Sequence, residues 1–170
     1  AVSLIIQRHE SLRTTFDMED GSPVQRVHSA HPVNLAAEPI EDEKLVARRC
    51  SEEASRVFDL SRGPLLRTRL LELSGSSHVL LLSLHHIIAD GWSIDILIRD
   101  LLDFYQSNHL HTPSSLPALN VQYRDYTVWQ RDWLQGDVLA AQVDYWRTQL
   151  HNSETLELPT DFPRLRGAAA

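Results

Sequence analysis

The sequence predicts a mixed α/β domain in which a mixed sheet is covered by flanking helices. Two apolar segments, residues 65–73 and 78–84, are separated by turn residues at 75–77 and predict a hairpin. From residue 94 onward the apolar spacing changes to that of a helix. The chain has 170 residues, of which 42% are hydrophobic, so it is long enough for one domain with its own core.

The first third of the chain predicts two short strands and a helix. Residues 12–16 and 24–27 read as strands on either side of an Asp-Gly-Ser-Pro turn. Residues 29–40 read as a loop, and residues 41–57 place their apolar positions on one face of a helix. The Gly and Pro within residues 58–64 then end that helix.

The strand at residues 78–84 and the helix after it are the clearest elements. The strand is apolar on both faces, which is typical of a central strand. One face of the helix carries Ile94, Leu97, Ile98, Leu101, Leu102 and Tyr105. The opposite face predicts ion pairs four residues apart among Asp95, Arg99 and Asp103.

The last third of the chain predicts two more helices. After a loop at residues 109–117, residues 121–134 and 139–150 carry aromatic and aliphatic residues at helical spacing. Residues 158–163 read as extended, and residues 167–170 are a tail without a packing signal.

Composition excludes several classes of function. The net charge is −7 and no basic stripe is visible, which argues against nucleic acid as a partner. The longest clean apolar run, residues 79–82, is far below the roughly 20 residues that cross a bilayer, so no membrane partner is expected. Cys50 is the single cysteine, which fits a reducing cytoplasm. The apolar start, residues 1–6, reads as the end of a longer helix, and we therefore expect a fragment.

The segment HHIIADG, residues 85–91, lies between the apolar strand and the strong helix and carries the candidate chemistry. A histidine titrates at about pH 6.5, so it can accept a proton from an amine or a hydroxyl. Gly91 permits unusual backbone geometry and lies where helix N–H groups suit an oxyanion. Two plainer readings stay open: His85 and His86 as partly buried polar residues, and Asp90 as a helix cap or turn residue. Zinc is disfavoured, because adjacent histidines point to opposite sides and no third ligand is spaced to join them.

Residues 85–91 match the HHxxxDG motif of nonribosomal peptide synthetase condensation domains. Residues 8–16, RHESLRTTF, resemble the RHExLRTxF segment of that family, and residues 123–129, YRDYTVW, resemble its YxDYAxW segment. Residues 145–146 and 156–161 are similar to the stretch that follows. Four segments in the family's order identify residues 1–166 as similar to part of a condensation domain.

The resemblance implies an N-terminal lobe of the chloramphenicol acetyltransferase-like type, without the family's first segment and without the C-terminal lobe. It implies that His86 touches the attacking amine, as general base or as a positioning acceptor, while His85 supports the loop. Gly91 would let backbone N–H groups approach the tetrahedral intermediate. Asp90 is expected to hold the loop through a buried salt bridge, with Arg13 as the first candidate partner and Arg8 as the second.

The implied reaction joins two thioesters carried by upstream and downstream peptidyl carrier proteins, with an adenylation domain in the same synthetase. No cofactor is expected to bind directly, because phosphopantetheine arrives on the carrier proteins. The alternatives are a coenzyme A-dependent acyltransferase, a catalytically inactive fragment, and an epimerization domain. Epimerization domains tend to have Val-Ser-Trp after the glycine, where this chain has Trp92-Ser93-Ile94. A heterocyclisation domain would carry aspartates in place of the two histidines, so His85 and His86 argue against that class.

Overall fold

A computed structural model describes residues 1–74, 76–154, 156, 158–159 and 161–162. The predicted tail at residues 167–170 lies outside the described residues, as do parts of the similar stretch at 156–161 and of the predicted extended segment at 158–163. The chain forms two units, Ala1–Val128 and Trp129–Ala170. Among the described residues, no helix is long and apolar enough to span a membrane.

The helices and strands confirm a mixed α/β architecture. The strands are β1 Thr14–Glu19, β2 Ser22–Val27, β3 Ala37–Pro39, β4 Leu66–Ser74 and β5 Ser77–Leu84. The helices are α1 Val2–Arg8, α2 Lys44–Ala54, α3 Gly91–Leu110, α4 Tyr123–Trp133 and α5 Gly136–Gln149, with a 3₁₀ helix at Glu10–Arg13.

Strands β1 and β2 form an antiparallel hairpin that pairs Thr14 with Val27. Its turn uses Asp20 and Gly21, both with positive φ, as hairpin turns of the Asp-Gly type require. The strand predicted at residues 12–16 therefore begins two residues later than expected. Leu12 is instead buried from within the 3₁₀ helix, where it contributes to the core.

The second sheet has the order β3-β4-β5, with β3 parallel and β5 antiparallel to β4. Two predictions are wrong here. Strand β5 is an edge strand of the described sheet and β4 is central, although β5 is apolar on both faces. Strand β3 lies inside the predicted loop 29–40; its three residues include Pro39, so it lacks the signal of a regular strand.

The core of the first unit lies where α1, the 3₁₀ helix, β4 and the segment after β5 meet. Its buried side chains are Ile5, Ile6, Leu12, Leu65, Leu66 and Ile88. Helix α3 packs on this core through Leu97, Leu101 and Phe104. The apolar face predicted for α3 is thus only partly correct, because Ile98, Leu102 and Tyr105 are exposed.

The predicted ion pairs along α3 are also wrong. Arg99 pairs with its neighbour Asp100, and Asp103 accepts hydrogen bonds from the hydroxyls of Ser114 and Ser115. Asp100 is fully buried on the packed side of the helix. Spacing alone could not foresee this, because hydrophobic periodicity assigns every charged residue to the solvent side.

Candidate active site

The loop at residues 85–90 is fixed to the core by its backbone and by one apolar side chain. The His85 N–H donates to the Leu65 carbonyl at 3.0 Å, and the Ile88 N–H donates to the His85 carbonyl at 3.1 Å. Ile88 is buried in the core, while the neighbouring His86 is exposed. The sequence therefore places an available imidazole on a loop that is tied down on both sides.

Asp90 begins helix α3 as its N-cap. Its Oδ1 accepts from the Ser93 N–H at 2.9 Å and from the Ser93 hydroxyl at 2.6 Å. The Ser93 Oγ accepts in return from the Asp90 N–H at 3.2 Å, which completes a capping box. The hydrogen bond from the Ser93 hydroxyl is the main reason that the pKa of the Asp90 carboxyl lies below its usual value.

The predicted salt bridge of Asp90 with Arg13 or Arg8 is wrong in this structure. The Arg8 Nε binds Asp100 Oδ2 at 2.9 Å, and the Arg13 Nη2 lies 3.3 Å from Glu10 Oε1. Asp90 is exposed and its carboxylate is occupied by the helix terminus. Arg8 thus binds the buried carboxylate of Asp100, which lies ten residues after Asp90 in the sequence.

Because Asp90 is an exposed cap, we expect Asp90→Ala to lower the unfolding midpoint only modestly, by about 2–4 °C, and not to prevent folding. Thermal unfolding followed by circular dichroism measures this. Asp95→Ala, at an exposed position on the same helix, is the control and should leave the midpoint in place. A chain that no longer folds with Asp90→Ala would restore the buried-ion-pair interpretation.

Asp100 is the buried centre of a charge cluster whose other members are partly buried or exposed. Besides Arg8, its carboxylate binds the His9 Nε2 at 3.0 Å and the Arg99 Nη2 at 2.9 Å. Burial acts to raise the pKa of the Asp100 carboxyl, but hydrogen bonds from Arg99, Arg8 and His9 outweigh burial and lower it. Burial also lowers the pKa of His9, against the opposing effect of Asp100. Asp100 is thus an ionised carboxylate with three partners.

A cavity of about 380 Å³ lies beside this cluster and brings the two main motifs together. His86 and Asp90 line it from the HHIIADG segment, and His9 lines it from the RHESLRTTF segment. The remaining lining is mostly apolar: Ser11, Ile87, Ile88, Ala89, Ser93, Ile96, Leu97, Leu119, Val121, Gln122 and Tyr123. An apolar cavity with a few polar groups is typical of a substrate site.

The segment before α4, which supplies Leu119, Val121 and Gln122 to the cavity, is held by residues 8–10. The Arg8 Nη1 donates to the Pro117 carbonyl at 2.7 Å. The Gln122 side chain bridges the same segment, accepting from the Glu10 N–H at 3.1 Å and donating to the Arg8 carbonyl at 2.9 Å. Arg8 therefore links the buried Asp100 to the segment that precedes α4.

The other two candidate residues have different surroundings. Gly91 opens α3, has an ordinary φ, and would meet no atom within 4 Å if it carried a Cβ. The expectation that Gly91 provides unusual backbone geometry is therefore wrong here, while its place at the helix N-terminus is as predicted. The His85 Nδ1 accepts from the Ile87 N–H at 3.1 Å, so His85 contacts the loop backbone.

Sequence reasoning missed Asp100, His9 and Gln122 as site residues. Their partners are distant in the chain, and a single Asp in a helix gives no signal of burial. The adjacent Arg8 and His9 were the only available hint, because two cationic residues together suggest a nearby anion. Within the described part of the chain, no group of three or more His, Cys, Asp or Glu side chains could hold a metal ion.

The candidate site therefore consists of a strand, a turn and a helix that present the exposed His86 at a mostly apolar cavity. The sequence matches the condensation-domain family over residues 1–169, and the chain belongs to that family. It is 45% identical over 171 residues to a linear gramicidin synthase of Brevibacillus parabrevis, covering 96% of this chain and 2% of that protein. It is 39% identical over 165 residues to gramicidin S synthase 2 of Brevibacillus brevis, covering 96% of this chain and 4% of that protein.

Solved structures agree with this assignment. The X-domain from teicoplanin biosynthesis superimposes with a TM-score of 0.88 at 32% identity, covering 96% of this chain and 37% of that one. The epimerization domain of tyrocidine synthetase B superimposes with a TM-score of 0.79 at 24% identity, covering 95% of this chain and 38% of that one, and shares the fold. The predicted family and fold class are confirmed. The chain spans only a small part of the curated relatives it matches.

Proposed function

We propose that this chain supplies the HHxxxDG half of an active site that forms an amide bond between two carrier-bound thioesters. The observation that carries the proposal is the position of His86, which is exposed at the wall of an apolar cavity on a rigid loop. Membership in the condensation-domain family supports the reaction class. The two relatives compared above are gramicidin synthases, which supports the synthetase context.

The proposed chemistry assigns one step to His86. The amine nitrogen of the downstream aminoacyl group bonds to the upstream acyl carbonyl carbon, and the carbon–sulfur bond to the upstream carrier breaks. The proton lost by the amine ends on the departing thiolate. His86 accepts a hydrogen bond or the proton from the amine, which contributes about 10²–10⁴-fold when a base is well placed. In this proposal the backbone N–H of Gly91, at the start of α3, donates to the developing oxyanion, while the Asp90 carboxylate caps the same helix through Ser93.

The partners follow from this reaction. Both substrates arrive as phosphopantetheine thioesters on upstream and downstream peptidyl carrier proteins, and an adenylation domain of the same synthetase loads the amino acid. The chain itself holds no cofactor in this proposal, and the assembly works in the cytoplasm. Because a second lobe would supply the other wall of the site, we expect the 170 residues alone to form no amide.

The test is transfer of an acyl group by the protein that carries this chain, measured as intact mass of the carrier proteins. The downstream carrier should gain the mass of the upstream acyl group, and the upstream carrier should lose it. The 170-residue chain, supplied with the same loaded carriers, should give no transfer. Turnover by the 170 residues alone, or acyl transfer from coenzyme A in place of the upstream carrier, would contradict the proposal.

Epimerization is the second candidate, favoured by the likeness of the fold to the tyrocidine synthetase epimerization domain. It predicts a different result in the same assay. In deuterated water, the carrier-bound residue would exchange its α-hydrogen and gain one mass unit, while no acyl group would move between carriers.

A further inference from the structure

The segment between α2 and β4 contacts the candidate active-site loop through the Leu65 carbonyl, described above, and through the aromatic ring of Phe58. The Phe58 ring meets the His85 ring edge-on, with centroids 5.7 Å apart and planes at 84°. This is the favourable T-shaped arrangement of two aromatic rings. Phe58 is half-buried and packs against the core cluster, which also holds its ring in place.

The guanidinium of Arg67 lies over the Phe58 ring. Its guanidinium carbon lies 3.7 Å from the centroid of the Phe58 ring, a close cation–π contact. The guanidinium binds the buried Glu53 carboxylate through Nε. Its terminal nitrogens donate to the carbonyls of Glu53, Arg56 and Val57 at the end of α2, at 3.1, 2.9 and 3.3 Å. Arg67 is therefore held by four acceptors and cannot swing away from Phe58.

His85 transmits this constraint to the loop. Its Nδ1 accepts from the Ile87 N–H, so this hydrogen bond closes a short turn that has His86 at its middle. The ring nitrogen can play this role only when the imidazole keeps its orientation, because a rotated ring would turn a carbon toward the Ile87 amide. The edge-on contact with Phe58 packs against the His85 ring and disfavours such a rotation.

We propose that Phe58 and Arg67 are positioning residues for His86 and act through His85. This inference rests on the proposed role of His86 in amide formation. The stack Glu53–Arg67–Phe58–His85 holds the turn at residues 85–87, so that the His86 imidazole meets the amine in one orientation. A misplaced catalytic group lowers the rate of the chemical step without weakening substrate binding to the same extent.

The test compares Phe58→Leu with Phe104→Leu in the whole protein that carries this chain. Both changes remove an aromatic ring that packs on the same core cluster, but only Phe58 contacts His85. We expect Phe58→Leu to lower kcat about tenfold or more with little change in KM for the downstream carrier. Phe104→Leu should lower stability alone, and Phe58→Tyr, which keeps the ring, should restore kcat.

Hydrogen–deuterium exchange of the peptide containing Ile87 gives a second readout that needs no activity. Its amide should exchange about tenfold faster in Phe58→Leu and in Arg67→Met. It should stay protected in Phe104→Leu and in Arg62→Met, which removes an exposed arginine of the same segment. Arg67→Met keeps the Phe58 ring and covers the case in which Phe58→Leu fails to fold.

Unchanged exchange and unchanged kcat in Phe58→Leu and Arg67→Met would overturn the inference. Equal loss of kcat in Phe58→Leu and Phe104→Leu would also overturn it, because the effect would then be general destabilisation. A wild-type protein that forms no amide, with faster Ile87 exchange in Phe58→Leu, would overturn the proposed function and leave the Phe58–His85 contact supported.

Discussion

His86→Ala is expected to lower the rate of amide formation by about 10²–10⁴-fold in the protein that carries this chain. The imidazole is the titratable side chain that the HHIIADG loop presents to the cavity without a structural task of its own. Asp90 caps α3, and His85 contacts the loop backbone. The change is measured as the single-turnover rate of acyl transfer between loaded carrier proteins.

His78→Ala is the matched control, because His78 is an exposed histidine near the start of β5, the strand that leads into the HHIIADG loop. Both variants should unfold at the wild-type midpoint, since neither removes a buried side chain. A His86→Ala protein that transfers acyl groups within threefold of the wild-type rate would show that His86 is not the group that acts on the amine.

Asp100→Asn is expected to lower the free energy of unfolding by about 3–5 kcal/mol, the largest stability effect that the structure predicts. Asp100 is fully buried and binds Arg8, His9 and Arg99. Without that charge, the partly buried Arg8 guanidinium and His9 ring are left with a weaker partner. Urea unfolding followed by tryptophan fluorescence measures the change.

Asp95→Asn is the control for charge removal from the same helix, because Asp95 is exposed; it should change stability by well under 1 kcal/mol. The double variant Arg8→Met/Asp100→Leu should recover part of the loss, because replacing both members of a buried ion pair removes the unpaired charge. A loss below about 1 kcal/mol for Asp100→Asn would mean that the cluster is not a structural centre.

The parts of the fold that could be predicted are those with a local signal. The β1–β2 hairpin follows from Asp-Gly turn chemistry, and α3 follows from its apolar spacing. Strand β3 could not be predicted, because it is three residues long and exists only by pairing with β4. The edge position of β5 could not be predicted either, because apolar residues on both faces indicate burial but do not identify the neighbouring strands.

The candidate site divides in the same way. The position of His86 on a strand-to-helix turn follows from the chain order around residues 84–94. The pairing of Arg8 with Asp100 does not follow from the chain order, because it depends on which carboxylate is buried. Asp90 lies beside the histidines in sequence but faces solvent, whereas Asp100 is turned inward by the register of α3. As a result of this packing, Arg8 binds Asp100, and Asp90 caps the N-terminus of α3.

The most direct test of the central claim is covalent capture of the residue that meets the attacking amine. The probe is a downstream carrier protein whose bound amino acid has its α-amine replaced by bromine. An imidazole nitrogen within reach of the α-carbon attacks it from the side opposite the bromine, bromide leaves, and a carbon–nitrogen bond forms; peptide mass spectrometry then locates the labelled residue. The account predicts labelling at His86 and none in His86→Ala. Labelling at His9, on the same cavity, or equal labelling in the His86→Ala protein would contradict it.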